Sequence, residues 1–180
     1  MDIFVETLVR KKFTAQDKKK IMALFVTLIL GSIVFILVIP ALLLSNKIAY
    51  LSTVSMIVYA VMVFVIWRKL KKMNVEFEYI ITNDTLDFDK IIDKKKRERQ
   101  ISLDIKSIEE IGIYRSENFR GAGFEYILHA ERDRDGIGNY YVIAPHPKFK
   151  RSLVVFTPDD RMLEALSKTL PRQLVKNLSK

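Results

Sequence analysis

Two uncharged apolar runs, residues 21–44 and 48–67, constrain this chain more than any other feature, because neither contains Asp, Glu, Lys, Arg or His. At about 1.5 Å of rise per residue they reach roughly 36 and 30 Å as helices, enough to cross a hydrocarbon core of about 30 Å. Inside lipid every backbone N–H and C=O must be satisfied within the segment, so a lone pair of such runs reads as two helices. Only Ser45, Asn46 and Lys47 separate them, which demands a tight turn. The expectation is a transmembrane hairpin: helix 21–44, external turn 45–47, helix 48–67. A cleaved signal peptide would have an apolar core of about 7–15 residues, shorter than the first run.

The formal charge of +9 invites a nucleic-acid reading, and its distribution argues against one. Six basic and three acidic residues lie in 1–20, and Arg68, Lys69, Lys71 and Lys72 follow the second run. Residues 73–180 hold 19 basic against 18 acidic groups. Basicity is therefore a property of the membrane flanks, whereas a nucleic-acid domain carries a basic face of its own. The same flanks, with Lys18, Lys19 and Lys20 ahead of the first run, place both termini in the cytoplasm by the positive-inside rule. The localisation expected is the plasma membrane, multi-pass with two spans. There are no cysteines, which removes thiol-ligated metal and disulfides.

Residues 1–20 read as a basic cytoplasmic leader, either frayed or a short amphipathic helix on the inner leaflet with Ile3 or Phe4, Leu8 and Val9 at helical spacing. In the first span Ala23, Thr27 and Gly31 recur every four residues, a stripe of small side chains that permits close helix approach. The second span offers Ser52 and Ala60, among others, as the packing partner. Pro40 is expected to kink the helix or end its regular part early. A functional ion path would need ionisable groups within the spans, and neither run has one.

After a basic juxtamembrane linker at 68–73 the period changes to two. Val75-Glu76-Phe77-Glu78-Tyr79 alternates apolar and acidic residues, Asn83-Asp84 is a turn signal, and Thr85-Leu86-Asp87-Phe88-Asp89 alternates again. Residues 93–97 form a charged tip, and Ile101 and Leu103 share a face. Further strands are expected near 107–114, 124–130, 140–144 and 152–156, about seven in all, with Pro145-His146-Pro147 ending the sixth. Thr157-Pro158-Asp159-Asp160 then starts a helix, with Thr157 as its N-cap and Met162, Leu163, Leu166 and Leu170 on one stripe. The fold class is an α+β membrane protein: a two-helix transmembrane hairpin, then residues 74–180 as an antiparallel barrel or strongly bent sheet with a C-terminal helix.

That order resembles a pleckstrin-homology-like domain, carried by Glu78-Tyr79-Ile80-Ile81-Thr82-Asn83-Asp84-Thr85-Leu86-Asp87, Arg99-Gln100-Ile101-Ser102-Leu103 and Ile108 to Ile111. With Asp2-Ile3-Phe4-Val5-Glu6 at the start and Arg161-Met162-Leu163-Glu164-Ala165-Leu166 near the end, the whole chain resembles a family of small bacterial two-span membrane proteins known as a domain of unknown function. The resemblance implies a pleckstrin-like cytoplasmic domain and brings no assigned catalytic residues to carry over.

Lys94, Lys95, Lys96, Arg97 and Arg99 form the sharpest local feature. They read either as a contact for anionic headgroups or a partner, or as a solvated hairpin tip. His129 and His146 read as core or loop histidines, without a carboxylate at ligand spacing. Gly121-Ala122-Gly123 and Gly136-Ile137-Gly138 open no helix of a βαβ unit and read as turns. With no catalytic motif, the expectation is a non-enzymatic protein without cofactor or metal, held in membrane lipid and docking a protein partner or its own copy. The docking surface would be the loop 116–123 with an exposed Phe119, or an uncovered sheet edge. The alternatives are a subunit of a transport or secretion assembly acting through the hairpin, and an anionic-lipid sensor acting through residues 94–97.

Overall fold

The computed structural model describes residues 3–45, 51–119, 123–134 and 136–178. Asn46 and Lys47 of the expected turn, and Arg120, Gly121 and Ala122 of the expected docking loop, lie outside the described residues. The chain divides into two units: Phe13–Asn74, and a second unit made of the residues up to Lys12 together with those from Val75 onward.

The first unit is helical. Its opening helix α1 (Ala15–Ser32) begins six residues ahead of the apolar run, because Thr14 and Asp17 form a capping box. The Thr14 hydroxyl accepts from Asp17 N–H at 3.2 Å, and the Asp17 carboxylate accepts from Thr14 N–H at 3.1 Å. A π-helical stretch, Ile33–Val38, leads into α2 (Ile39–Ser45). Pro40 has no N–H to donate and its ring crowds the preceding turn, so the wider winding just before it is the local relief. The helix continues past this proline rather than ending there.

The returning helix α3 (Leu51–Met73) packs on the first along a seam that alternates steps of three and four. Leu24, Leu28, Gly31 and Phe35 face Ser52, Ser55, Tyr59, Met62 and Ile66, all half-buried or buried. Tyr59 hydroxyl donates to Leu28 O at 3.3 Å and Ser55 hydroxyl to Phe35 O at 3.3 Å. A Cβ added at Gly31 would overlap the Met62 methyl and touch the Tyr59 ring at 3.4 Å. Gly31 and Ser52 thus lie on the seam. Ala23, Thr27 and Ala60 do not; they are exposed. A stripe with a strict step of four drifts around the helix away from a seam that advances by 3.5, which is why only one end of it reaches the partner.

The second unit is built of two four-stranded sheets. One has the order β1 (Phe4–Arg10), β2 (Val75–Thr82), β3 (Thr85–Ile92), β4 (Lys96–Asp104), all antiparallel. Residues 4–10 are therefore not a leader: Val5, Thr7 and Val9 alternate with Glu6, Leu8 and Arg10, and the strand pairs with β2 from Phe4↔Thr82 to Arg10↔Glu76. Its start is fixed at the β2–β3 turn, where Asn83 N–H donates to Ile3 O at 2.8 Å and Asn83 Oδ1 accepts from Ile3 N–H at 3.1 Å. The helical unit is consequently an insertion in the first β-hairpin of the second unit, and Lys11 N–H still reaches Val75 O at 3.1 Å as the strands part.

The other sheet has the order β5 (Glu110–Ile113), β7 (Tyr140–His146), β8 (Lys150–Phe156), β6 (Tyr126–His129). Here β6 runs parallel to β8, not antiparallel as expected. Pro145 lies inside β7 rather than ending it. Tyr114 N–H donates to Asn139 O and Glu109 N–H to Ile143 O, so odd positions of β7 face β5. At Pro145 that neighbour has already ended, and the missing N–H costs no ladder bond.

Phe77, Tyr79, Ile81, Leu86 and Phe88 from one sheet meet Val142, Val154 and Phe156 from the other. Tyr79, Phe88 and Phe156 form an edge-to-face triad with centroids 5.4–5.6 Å apart. Helix α4 (Asp160–Thr169) adds Met162, Ala165 and Leu166 to this core. Its N-cap is Asp159, which accepts from Met162 N–H at 2.9 Å. Thr157 is used elsewhere: its hydroxyl donates to Asn139 Oδ1 at 2.8 Å and accepts from Arg132 N–H at 2.9 Å. Pro171 separates α4 from a short α5 (Arg172–Val175). Among the described residues the class is α+β with eight strands, and the sheets form no closed barrel.

Candidate functional site

The cation run at 94–99 lies on the β3–β4 hairpin, and its tip is a three-residue turn with Asp93 and Lys94 in the left-handed region, at φ 53° and 57°. The strand phase throws Arg97 and Arg99 onto the outer face of the first sheet, the face on which β2 and β3 place Glu78, Asp87 and Asp89. Register brings Glu78, Asp89 and Arg99 into one row across three strands. Arg99 Nε lies 3.1 Å from Asp89 Oδ1 and its terminal nitrogen 3.1 Å from Asp87 Oδ2. Arg97 pairs with Glu78 and lies 3.6 Å from Asp89. Asp89 is only 2% exposed. The hydrogen bond to Asp89, then the Asp87 charge, raise the Arg99 pKa. Lys96 is engaged by Glu98 at 2.5 Å. Of the five cations, Lys94 and Lys95 alone have no ion-pair partner among the described residues. The run is therefore largely charge-matched within the sheet, and the counter-charges were visible as the acidic alternate positions of β2 and β3.

Phe119 is not an exposed anchor. It is half-buried, stacked on Tyr114 at 5.5 Å and edge-on to Tyr141 at 4.7 Å, with Phe124 at 6.2 Å. This aromatic cluster sits on the outer side of the second sheet and ties residues 116–119 down.

The exposed polar feature nearby is the free edge of β5. Tyr114 directs its N–H to Asn139 O of β7, so alternation turns the backbone groups of Ile113, a 38% exposed residue, to the other side, whereas Ile111 in the same phase is fully buried. A groove of about 300 Å³ follows this edge, lined by Glu110, Gly112, Ile113, Arg115, Asn118 and Asn177 among others. Tyr141 closes one wall by donating its hydroxyl to Glu110, and its pKa is raised, first by burial and then by that hydrogen bond. At Gly112 an added Cβ would stand 3.3 Å from the Tyr141 ring, tighter than ordinary van der Waals contact.

His129 on β6 does have a carboxylate near it, contrary to the spacing argument: Nδ1 is 3.2 Å from Glu131 Oε1, and Glu131 is 2% exposed. The strand alternation His-x-Glu was the available signal. His146 serves its turn, its Nδ1 accepting from Lys148 and Phe149 N–H at 3.2 and 3.3 Å. Among the described residues no three His, Asp or Glu side chains gather as a metal site needs. The flank cations lie on helix: Lys18–Lys20 in the first turns of α1, and Arg68, Lys69, Lys71 and Lys72 in the last turns of α3, where Lys71 Nζ covers the Trp67 ring at 3.7 Å. Ala15–Leu44 and Leu51–Met73 are both long and apolar enough to be candidate membrane spans, with 0% and 11% of their most apolar windows buried.

Two sheets packed face to face, with a C-terminal helix in their core, define the class as a PH-like domain. A family model described as "Bacterial PH-like domain (DUF6106)" matches residues 1–176, and the chain belongs to that family, whose function is unknown. No curated protein and no solved structure matches the chain.

Proposed function

We propose that this chain is a non-enzymatic docking module fixed at the inner face of the plasma membrane, with the β5 edge as its recognition surface for a partner protein. The observation that carries the reading is the insertion of the helical hairpin between β1 and β2. Strands that pair in one sheet must lie on one side of any bilayer, and two spans return the chain to the side it left. The domain is thereby tethered through two adjacent strands.

The flanking charges select the cytoplasmic side. Lys18, Lys19 and Lys20 sit near the positive end of the α1 dipole, where cations cost rather than contribute helix stability. Anionic headgroups account for their presence at this position. At the edge of β5, an extended peptide can satisfy the outward backbone groups of Ile113 by strand addition while its side chains enter the adjoining groove.

The native absence of cysteine makes topology directly testable. In intact cells, K47C is expected to react with an impermeant maleimide, and S107C only after permeabilisation; the reverse pattern overturns the orientation. Docking is tested by copurification with the full chain. Ile113→Pro removes one outward N–H and is expected to lose the partner that Ile113→Ala, which keeps that N–H, retains. Loss with Gly31→Leu but not with Ile113→Pro would move the function into the hairpin and favour a transport or secretion assembly.

A further inference from the structure

Ala23 and Thr27, which the hairpin seam leaves out, line a groove of about 490 Å³ within the helical unit, together with Leu24 and Met73 and the three lysines Lys20, Lys69 and Lys72. We propose that this groove is a binding site for one anionic phospholipid. The lysines would engage its phosphate, and one acyl chain would lie along Ala23, Leu24 and Thr27. The inference rests on the reading that the hairpin spans the membrane.

The geometry follows from helical spacing. Lys20, Ala23, Leu24 and Thr27 lie at i, i+3, i+4 and i+7 on α1, and Lys69, Lys72 and Met73 at i, i+3 and i+4 on α3, so each helix gives one continuous face. The faces carry charge at the flank of the apolar run and hydrocarbon within it. Two small side chains on α1 leave the furrow, and Thr27 does not make it polar: its hydroxyl donates to Ala23 O at 2.9 Å and is thereby satisfied. The lining holds no carboxylate, and none of its three lysines has an ion-pair partner among the described residues. Three uncompensated cations at the mouth of an apolar furrow complement a ligand with an anionic head and an aliphatic tail. The volume falls within the range of about 300–1,000 Å³ usual for small-molecule sites. Simple attraction between basic flanks and an anionic leaflet predicts that every flank cation counts alike; a site predicts that these three count and their neighbours do not.

The test uses the full chain in a neutral detergent, with dioleoyl-phosphatidylglycerol or dioleoyl-phosphatidylcholine added and the bound lipid counted by native mass spectrometry. The wild type is expected to retain one phosphatidylglycerol per chain and no phosphatidylcholine. The triple variant K20Q/K69Q/K72Q is expected to weaken retention by about tenfold or more, and K18Q/K19Q/R68Q, with the same loss of charge, by less than about twofold. Ala23→Phe fills the furrow while keeping every seam residue and all three lysine charges, and is expected to abolish retention while far-UV circular dichroism stays unchanged. Equal losses from the two triples, equal retention of both lipids, or an Ala23→Phe variant that binds as the wild type does would each overturn the site. Alkaline carbonate washing of native membranes separates this failure from that of the underlying reading: release of the chain refutes the span, whereas a chain that stays in the pellet without lipid selectivity refutes the groove alone.

Discussion

Residues 94–99 and residues 68–72 look alike in sequence, each a short run with four or five cations, yet they end in opposite surroundings. On β4, Arg97 and Arg99 lie over buried carboxylates of β2 and β3 that the register delivers to them. On α3, Lys69 and Lys72 face a furrow that contains no acidic group. The difference comes from what alternates nearby. A strand in a sheet brings side chains from two neighbours to each outward position, so the acidic phase of β2 and β3 neutralises a basic phase of β4. A helix next to an uncharged partner has no such supply. A run of cations therefore acquires meaning only from the counter-charges that the topology places beside it.

The largest effect that would break this comparison comes from Arg99. Arg99→Met leaves Asp89 buried with only the more distant Arg97 and leaves Asp87 without its arginine. A buried carboxylate stripped of its partner is costly, but the guanidinium is itself 58% exposed and partly screened, so about 2 kcal/mol is expected rather than the several reported for fully buried pairs. Thermal unfolding of the full chain in detergent reads this directly. A melting temperature unchanged by Arg99→Met would show that the β4 cations are surface charges after all, equivalent to those on α3. The companion Lys95→Met, at an exposed site without an ion-pair partner, is expected to stay within about 0.5 kcal/mol of the wild type.

A smaller effect separates structural charge from surface charge by pH. Burial pushes the Asp159 carboxyl upward, but the hydrogen bonds from Met162 N–H and Arg161, with the Arg161 charge, outweigh it and hold the pKa below the usual aspartate value. A depressed folded pKa adds stability that is present above the unfolded value and is lost as pH falls through the folded one. Asp159→Ala is therefore expected to cost about 1 kcal/mol at neutral pH, as loss of a helix cap does, and progressively less below about pH 4. A cost that stays constant down to pH 3 would mean that packing, not charge, fixes the start of α4.

How much of this was legible in the chain depended on the range over which each feature is determined. The strands β2, β3 and β4 followed from local alternation, because Phe77, Tyr79, Leu86, Phe88, Ile101 and Leu103 each fall on an inward phase. The strand β1 did not. Phe4-Val5-Glu6-Thr7-Leu8-Val9 fits a period of two and of 3.6 about equally, and the distant pairing with β2, from Phe4↔Thr82 to Arg10↔Glu76, decides between them. The parallel pairing of β6 has no local signature at all, since direction is set by the path of the chain between Tyr114 and Tyr140. At the site, the cations of residues 94–99 were plain and their partners were overlooked, although both sets alternate with the same period. Phe119 read as exposed because a short polar segment hides the fact that Tyr114 and Tyr141 bracket it across the sheet. In the hairpin the small-residue stripe is plain in the sequence, but its phase against the seam is not: Gly31 is half-buried, while Ala23 and Thr27 are exposed.

The smallest expected effect sharpens the comparison at Lys94. This residue sits at φ 57° in the β3–β4 turn, where a side chain with a Cβ is strained and glycine is not. If its charge served membrane contact, as that of Lys69 is proposed to, Lys94→Gly would exchange a functional loss for a conformational gain. If the run is a solvated hairpin tip, the gain alone remains, about 0.5 kcal/mol after the greater freedom of glycine in the unfolded chain is subtracted. The second outcome is expected, as a rise of a few degrees in melting temperature, on the scale set by about 4–8 °C per kcal/mol for a small domain. Retention of phosphatidylglycerol in the native mass spectrum should not change. A loss of retention with Lys94→Gly comparable to that of K20Q/K69Q/K72Q would make the two basic runs functionally alike and remove the distinction drawn between them.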